Sequence, residues 1–267
     1  MIFRKQETVK PAPSYSSLTA LYKSYGYAAP DAGFEQKSLN TEWTDKDIAK
    51  LAEAVDRCIA AGNSVPQTVI INPELFLKTF LSYGTLGTLL FHEGRKVADF
   101  SFERQEINGK DLSTSWTLFH REILEEYRSQ KLGSGMLKIM EKAMEYEAER
   151  TKTEQVIKIE ARQLGVIKLA LNNGYEPESE EDKKKLELVL SADRSKVFIT
   201  TAPGGKPGYV FSVLSLQSLI AKRGLGNLSL EELQSFNLSK VFLNFDAYKK
   251  NALTIKFKKE KRPRKVV

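Results

Sequence analysis

YRSQKLGSGML, residues 127–137, is the most informative stretch of the sequence. It follows an apolar and aromatic run over residues 116–124, which predicts a strand, and it precedes apolar residues at helical spacing. A strand, a glycine-containing turn and the first turn of a helix direct several backbone N–H groups and the positive end of the helix dipole at one point. Arg128 and Lys131 add positive charge there. The stretch predicts a site for phosphate or pyrophosphate, although glycines at a helix start also have purely structural uses.

A second stretch strengthens this interpretation. The strand-like residues 155–161 are followed by VIKLALNNGY, residues 166–175. Together the two stretches resemble the acyl-CoA-binding core of the GNAT-type N-acetyltransferase superfamily. That core has a strand, an Arg/Gln-x-x-Gly-x-Gly/Ala turn and a helix, then a strand and a helix that ends in a phrase similar to Leu-Tyr-x-x-x-Gly-Phe. The resemblance covers roughly residues 65–202. It implies a mixed α/β (α+β) fold with a central, mostly antiparallel sheet flanked by helices, and with N- and C-terminal extensions.

The resemblance also implies acetyl-CoA as co-substrate and no metal. In the family the pyrophosphate lies on the turn, the end of the preceding strand pairs with the pantetheine arm, and the start of the later helix faces that arm. The residues implied for these contacts are Ile123, Leu124, Arg128, Ser129, Gln130, Lys131, Leu132, Gly133, Ser134, Gly135 and Gln163.

Two alignments of the turn remain open. One starts at Gln130 and satisfies the formal Gln-x-x-Gly-x-Gly pattern. The other starts at Tyr127 and aligns better with the family's common Tyr-Arg-Gly-x-Gly-Ile-Gly phrase, but it places Lys131 where the family has a glycine. The second alignment is preferred, and both use the same surface.

Acyl transfer to an amine needs a base for the amine proton and an acid for the departing thiolate. His120 and Glu122 are the candidates for the base, because residues two apart on a strand share one face. In the preferred alignment the family's bases tend to lie on the other face of the strand. Alternation predicts Thr117, Phe119 and Arg121 on that face. The tyrosine that often serves the family as acid corresponds to Ala170, so the resemblance supplies no acid.

Two functions of different class follow. The first is an N-acetyltransferase that moves an acetyl group from acetyl-CoA to an amine of a small molecule or a protein, by direct attack in a ternary complex. The alternative is a catalytically impaired protein of the same fold that holds nucleic acid with its basic end. Residues 249–265 contain nine Lys/Arg and one acid, so their net charge is +8. The net charge of the whole chain is +7, so the remaining residues together carry −1. Lys256–Lys265 are the expected contact with a polyanion, unless this end is simply solvated.

Composition is ordinary for a globular protein of 267 residues, with 41% hydrophobic and 28% charged residues. A single cysteine, Cys58, excludes an internal disulfide. No run has the pattern of a signal peptide or a membrane span, which predicts a cytoplasmic protein without a membrane partner. The expected organisation is a loosely structured extension over 1–40, the GNAT-like domain over 41–202, a small element over 203–255 and a basic tail over 256–267.

Local patterns predict several further elements. They are a helix over 44–61 with Thr44 as N-cap, a helix over 74–82, a hairpin around Glu93-Gly94-Arg95, an Asn-Gly turn at 107–110, an acidic loop over 176–182, a hairpin of 186–191 with 197–201, and a linker over 202–208.

Overall fold

The structure is a computed structural model that describes residues 39, 43–62, 66–106, 113–128, 130–191, 195–200, 208–242 and 244–263. In chain order the elements are α1 (Asp45–Ala60), β1 (Gln67–Asn72), β2 (Leu75–Ser82), β3 (Thr85–His92), β4 (Arg95–Glu106), β5 (Ser113–Ile123), a 3-10 helix (Glu125–Tyr127), α2 (Leu132–Thr151), β6 (Glu154–Ala161), α3 (Leu164–Asn172), β7 (Glu176–Pro177), α4 (Glu180–Leu190), β8 (Val197–Thr200), β9 (Tyr209–Ser212), α5 (Val213–Lys222), α6 (Leu230–Ser235), a second 3-10 helix (Leu238–Lys240), α7 (Phe245–Asn251) and β10 (Ile255–Lys261). The predicted Asn-Gly turn, the turn at 192–194 and nearly all of the predicted linker and of the N-terminal extension lie outside the described residues.

An eight-stranded sheet organises the molecule, in the order β1-β2-β3-β4-β5-β6-β10-β7. Its pairings are antiparallel except for the central pair, β5 and β6. The crossover between that parallel pair is α2, as the strand–turn–helix–strand pattern predicted. The mixed α/β fold with a mostly antiparallel sheet is therefore confirmed.

Helix α1 forms as the sequence predicted. Thr44 is its N-cap in a capping box with Asp47, and Gly62 lies just beyond its end with φ +70°. Its apolar stripe packs on the sheet face that also carries the buried residues of β2 and β4. The buried Cys58 lies in this stripe, and burial raises the pKa of its thiol.

The predicted helix over 74–82 is wrong, because these residues form β2. Leu75, Leu77 and Leu81 point into the core, whereas Phe76 and Phe80 lie on the other face. Both faces of the strand carry apolar side chains, so the sequence does not alternate cleanly and imitates a helix. The predicted hairpin around Glu93-Gly94 is confirmed as β3–β4.

The predicted acidic loop and the strand over 186–191 are also wrong, because residues 180–190 form helix α4. Ser179 caps this helix and the acidic residues occupy its first turn, where they complement the helix dipole. Asp182 is buried and accepts a hydrogen bond of 3.0 Å from the backbone N–H of Lys256. Strand β8 therefore pairs with β9.

The expectation of a free basic tail is wrong for residues 256–261. They belong to β10, which lies inside the sheet between β6 and β7. Ile255 and Phe257 are fully buried on the face that α2 covers.

Most of the positive charge of this strand is neutralised by acids. The ion pairs are Lys258 with Glu260, Lys259 with Glu141, Lys261 with Glu141 and Glu145, and Arg262 with Glu154 and Glu260. Glu141 and Glu145 belong to α2, so β10 and α2 are joined by charge as well as by apolar contact. A cluster paired in this way is a poor surface for a polyanion.

Residues from 198 to 252 build a second cluster of buried side chains. The hairpin β8–β9 serves both clusters, because its side chains alternate: Val197, Ile199 and Val210 face the main core, whereas Phe198 and Phe211 face the second. Among the described residues, no helix combines the length and apolar composition needed to cross a membrane.

Candidate functional site

Strand β5 changes direction in its middle. Residues 113–118 pair with β6, and beyond Leu118 only the pairing with β4 continues. The register against β4 shifts at the same point, because Ser101 is opposite His120 and Phe102 is opposite Leu118, which leaves Phe119 as an extra residue. This is a β-bulge, which bends a strand and increases its twist. The bulge and the departure of β6 together open the sheet along the last residues of β5.

The bulge also exchanges the faces on which the following side chains lie. Thr117 pairs with Glu103, so it shares the face of His120 and Glu122. Arg121 pairs with the buried Phe100 and therefore lies on the opposite face, under the helices. The expectation that Thr117 and Arg121 share a face opposite His120 and Glu122 is wrong, because simple alternation fails across an inserted residue.

The end of β5 offers backbone groups to the opened side. The N–H of Leu124 donates to the carbonyl of Val97 in β4 at 3.0 Å. Successive N–H groups of a strand point in opposite directions, so those of Ile123 and Arg121 point away from β4, toward the side that β6 has left. The carbonyl of Ile123 accepts a hydrogen bond of 3.3 Å from Arg128 Nε. The carbonyl of Leu124 accepts a hydrogen bond from the N–H of Tyr127, and the predicted pairing of Leu124 with a pantetheine arm stays a prediction.

Helix α2 starts directly beside this edge without a side-chain cap. Lys131 occupies the N-cap position in the left-handed conformation, φ 58° and ψ 13°. The first amides of an α-helix have no acceptor within the helix, which leaves those of Leu132, Gly133 and Ser134 directed outward at the positive end of the dipole. The N–H of Gly135 instead donates to the carbonyl of Lys131 at 2.9 Å, and the predicted place of Gly135 in the pyrophosphate turn stays a prediction.

The two glycines in the first turn of α2 are closely packed. A Cβ atom on Gly133 would lie 3.2 Å from Leu169 of α3 and 3.8 Å from Ile123. A Cβ atom on Gly135 would lie 3.3 Å from the indole of Trp43, just before α1. Three elements, β5, α2 and α3, therefore meet at Gly133, and this contact fixes the start of α2 against the open edge of β5.

Arg121 is the residue of this site that the sequence did not single out. Burial, and secondly the charge of Arg128, lower the pKa of its guanidinium to about 10. Among the described residues, no carboxylate lies within ion-pair distance of Arg121, while Arg128 lies 3.5 Å from Glu125. Arg121 is only partly exposed, and a partly desolvated cation beside a second cation favours binding of an anion. The pair lies at the opened edge, next to the start of α2.

The other predicted contacts are placed as follows. Gln130 accepts a hydrogen bond from the backbone N–H of Leu39 through its Oε1 at 3.1 Å, and Ser134 Oγ accepts one from Asn173 at 3.1 Å. Gln163 is the N-cap of α3 and forms a β-bridge with Tyr209. It lies at the other end of α3 from Asn173, roughly 15 Å along the helix. Ser129 lies outside the described residues.

His120 and Glu122 share one face of β5, as predicted, and both are about half exposed. Asp99 of β4 lies between them: its Oδ2 is 3.9 Å from His120 Nε2 and 3.0 Å from Lys96 Nζ. Ser101 Oγ donates to the other oxygen of Asp99 at 3.5 Å. The sequence did not indicate Asp99, because its position beside His120 follows from the bulged register of β4 and β5.

Two residues of the closing family phrase, Ala170 and Tyr175, are both buried. Ala170 is fully buried in the main core. The hydroxyl of Tyr175 is buried as well, and burial followed by the charge of Glu141 raises its pKa well above the usual value. Tyr175 therefore has the packing role that its position in the family phrase implied.

The tip of the β3–β4 hairpin contacts the 3-10 helix that precedes the turn. His92 Nδ1 and the hydroxyl of the buried Tyr127 share a hydrogen bond of 3.0 Å. Arg95 forms an ion pair of 2.8 Å with Glu126. Both contacts hold the 3-10 helix that leads into α2.

Comparison with solved structures finds N-acetyltransferases. One is RimL, a ribosomal L7/L12 alpha-N-protein acetyltransferase, in complex with coenzyme A: TM-score 0.31 and 12% identity, over 54% of this chain and 94% of that one. Another is an acetyl transferase that modifies the N-terminal serine of 50S ribosomal subunit protein L7/L12 from Salmonella typhimurium: TM-score 0.29 and 15% identity, over 75% and 89%. At such scores these matches carry no argument about the fold or the activity of this chain. No protein-family model matches the chain, and no curated protein matches it.

Proposed function

We propose that this protein is an N-acetyltransferase that uses acetyl-CoA and an amine acceptor. The observation that carries the proposal is the bulge at Phe119, where β5 leaves β6 beside the uncapped start of α2. A pantetheine arm fits a strand edge whose neighbour has departed, and a pyrophosphate fits a helix start flanked by two guanidinium groups.

In this proposal the anionic part of coenzyme A is bound by the amides of Leu132, Gly133 and Ser134 together with Arg121 and Arg128. The bound phosphates offset the desolvation cost of the Arg121 guanidinium. They also attract Arg128 away from the Ile123 carbonyl. That carbonyl and the N–H of Ile123 then pair with the pantetheine amides. The N–H of Arg121, next along the edge toward the bulge, polarises the thioester carbonyl as negative charge develops on it.

His120 is the proposed base, and the carboxylate of Asp99 lies 3.9 Å from its Nε2. The acceptor amine approaches from the sheet face that carries these side chains and attacks the thioester carbon. A C–N bond forms, the C–S bond breaks, and the amine proton passes to His120 directly or through water. Because Ala170 offers no acid, the departing thiolate takes its proton from solvent.

Binding of acetyl-CoA tests the proposal. Calorimetry of the full chain is expected to show one site. Arg121→Met, which keeps the volume and removes the charge, is expected to weaken binding by about 10- to 100-fold, since a hydrogen bond to a charged group contributes about 1.5–3 kcal/mol. The same variant is expected to unfold no more easily than the parent, because it removes a partly buried cation that has no described carboxylate within ion-pair distance. This combination separates a binding residue from a structural one.

Arg57→Met is the matched control, because Arg57 lies on α1 with only an exposed pair to Glu53. Unchanged affinity is expected for it. Absence of acetyl-CoA binding by the parent protein, or equal affinity in Arg121→Met, contradicts the proposed site. Release of free CoA in the presence of amines of different class then identifies the acceptor.

The nucleic-acid alternative rests on the absence of the family's acid at Ala170 and on the basic end, and the described part of that end is largely paired with acids. Three of the four lysines of β10 form ion pairs with acids, and so does Arg262 just beyond the strand. No observation in the described part of the chain favours it over acyl transfer.

A further inference from the structure

A cluster of three side chains that could bind a metal ion lies at the end of strands β2 and β3 near Tyr127. It consists of Glu74, from the turn between β1 and β2, and of His92 and Glu93, from the tip of the β3–β4 hairpin. One donor atom of each residue lies within 4.8 Å of the others. We propose that these three residues bind a divalent transition-metal ion, Zn²⁺ in particular.

The surroundings of His92 suit a metal ligand. Its side chain is 8% exposed, and its Nε2 faces Glu74 at 3.9 Å, outside hydrogen-bond range. Its other nitrogen, Nδ1, is engaged by the hydroxyl of Tyr127 at 3.0 Å. When Nδ1 carries the proton and donates it to the tyrosine oxygen, the lone pair of Nε2 points toward the carboxylates. Metal-binding histidines are oriented by such a contact of their second nitrogen.

The backbone holds the two turns in place. The N–H of Glu93 donates to the carbonyl of Glu74 at 2.8 Å, which joins the turns directly. Asn72 Oδ1 accepts the N–H groups of Glu74 and Leu75, at 3.0 and 2.9 Å, and fixes the first turn. Glu93 has φ 49°, so its conformation is set by the tight tip of the hairpin.

The ligand chemistry favours Zn²⁺. Donor atoms about 2.0–2.2 Å from a tetrahedral zinc are roughly 3.4 Å apart, so the site closes by a movement of about 1 Å. The glutamates can make that movement, because the side chain of Glu74 is 68% exposed and Glu93 is exposed. Two carboxylates and a neutral imidazole balance the charge of the ion, and water takes the fourth position. An imidazole ligand disfavours Mg²⁺ and Ca²⁺.

Titration with Zn²⁺ tests the proposal on the full chain after removal of metals by a chelator. One equivalent is expected to bind, and to raise the unfolding temperature. Glu74→Gln and Glu93→Gln keep the shape of exposed side chains and are each expected to weaken binding at least tenfold and to reduce the rise in unfolding temperature. Tyr127→Phe is expected to weaken it about 10- to 100-fold, as for loss of an orienting contact.

His120→Gln is the matched control, because His120 is the other of the two histidines in the chain. Its expected affinity for Zn²⁺ equals that of the parent. The proposal is overturned if both glutamine variants at positions 74 and 93 bind like the parent, if His120→Gln abolishes binding, or if Mg²⁺ binds as tightly as Zn²⁺. The proposal does not depend on the acyltransferase activity.

Discussion

Replacement of Phe257 by alanine tests the placement of β10 inside the sheet. The side chain is fully buried, and the residue pairs with Ile159 on one side and Pro177 on the other. Truncation of a buried phenylalanine to alanine costs about 3–5 kcal/mol, as lost transfer free energy plus a cavity. Total stabilities are about 5–15 kcal/mol, so Phe257→Ala is expected to remove a large fraction of the free energy of unfolding.

Urea denaturation followed by circular dichroism measures this change. Lys256→Ala, one position earlier, is the control: its side chain is exposed, and a shift within about 0.5 kcal/mol is expected. A free tail would give nearly equal midpoints for the two variants. A loss below about 1 kcal/mol for Phe257→Ala, with an unchanged m-value, would refute the argument that this segment is a core strand.

Three further predictions follow from the site and its surroundings. Lys131→Gly relieves a left-handed conformation that costs about 1–2 kcal/mol, while the added chain entropy of glycine costs about 0.5–1 kcal/mol, so thermal denaturation should show a small gain in stability. Lys152→Gly, at the left-handed C-cap of α2, is the control, and it should show the same gain without altering acetyl-CoA binding. If the acyltransferase proposal holds, His120→Gln lowers kcat about 10²- to 10⁴-fold and leaves the dissociation constant of acetyl-CoA unchanged, and a parallel loss of binding would contradict its role as base. Burial and the charge of Glu141 raise the folded-state pKa of Tyr175, so its contribution to stability is full below about pH 10 and is lost as the pH rises above that. Between about pH 9 and 11 the free energy of unfolding should therefore fall less steeply for Tyr175→Phe than for the parent, and equal slopes would refute this assignment.

The parts of the fold that the sequence predicted are those set by local contacts. Thr44 caps α1, and Glu93-Gly94 forms the hairpin tip, through bonds within a few residues. The strand–turn–helix around residues 127–137 is local in the same sense. The lysines of β10 read as a solvated run because their partners are distant: Lys259 pairs with Glu141, 118 residues earlier. A single sequence does not show that the two meet.

The site was predictable in outline, and its details depended on register. The turn, Arg128 and the start of α2 were identified from the sequence. The backbone hydrogen bonds of Leu124 to β4 and of Gly135 to Lys131 were not, because they depend on strand register and on the residue at which α2 begins. Arg121 and Asp99 took their places only through the bulge at Phe119, since one extra residue reverses the face of every side chain that follows.

The position of β10 also constrains how the chain folds. Its neighbours β6 and β7 end at residues 161 and 177, and β10 begins at 255, so 255 − 177 = 78 positions separate it from β7. Until that long segment closes, the strand edge of β6 stays exposed, and such edges pair with other chains. This strand comes last in the sequence among the described elements, so β6 gains its second neighbour only after all the other described elements have been synthesised. Refolding yield should therefore fall with protein concentration more steeply than the stability of the finished fold suggests.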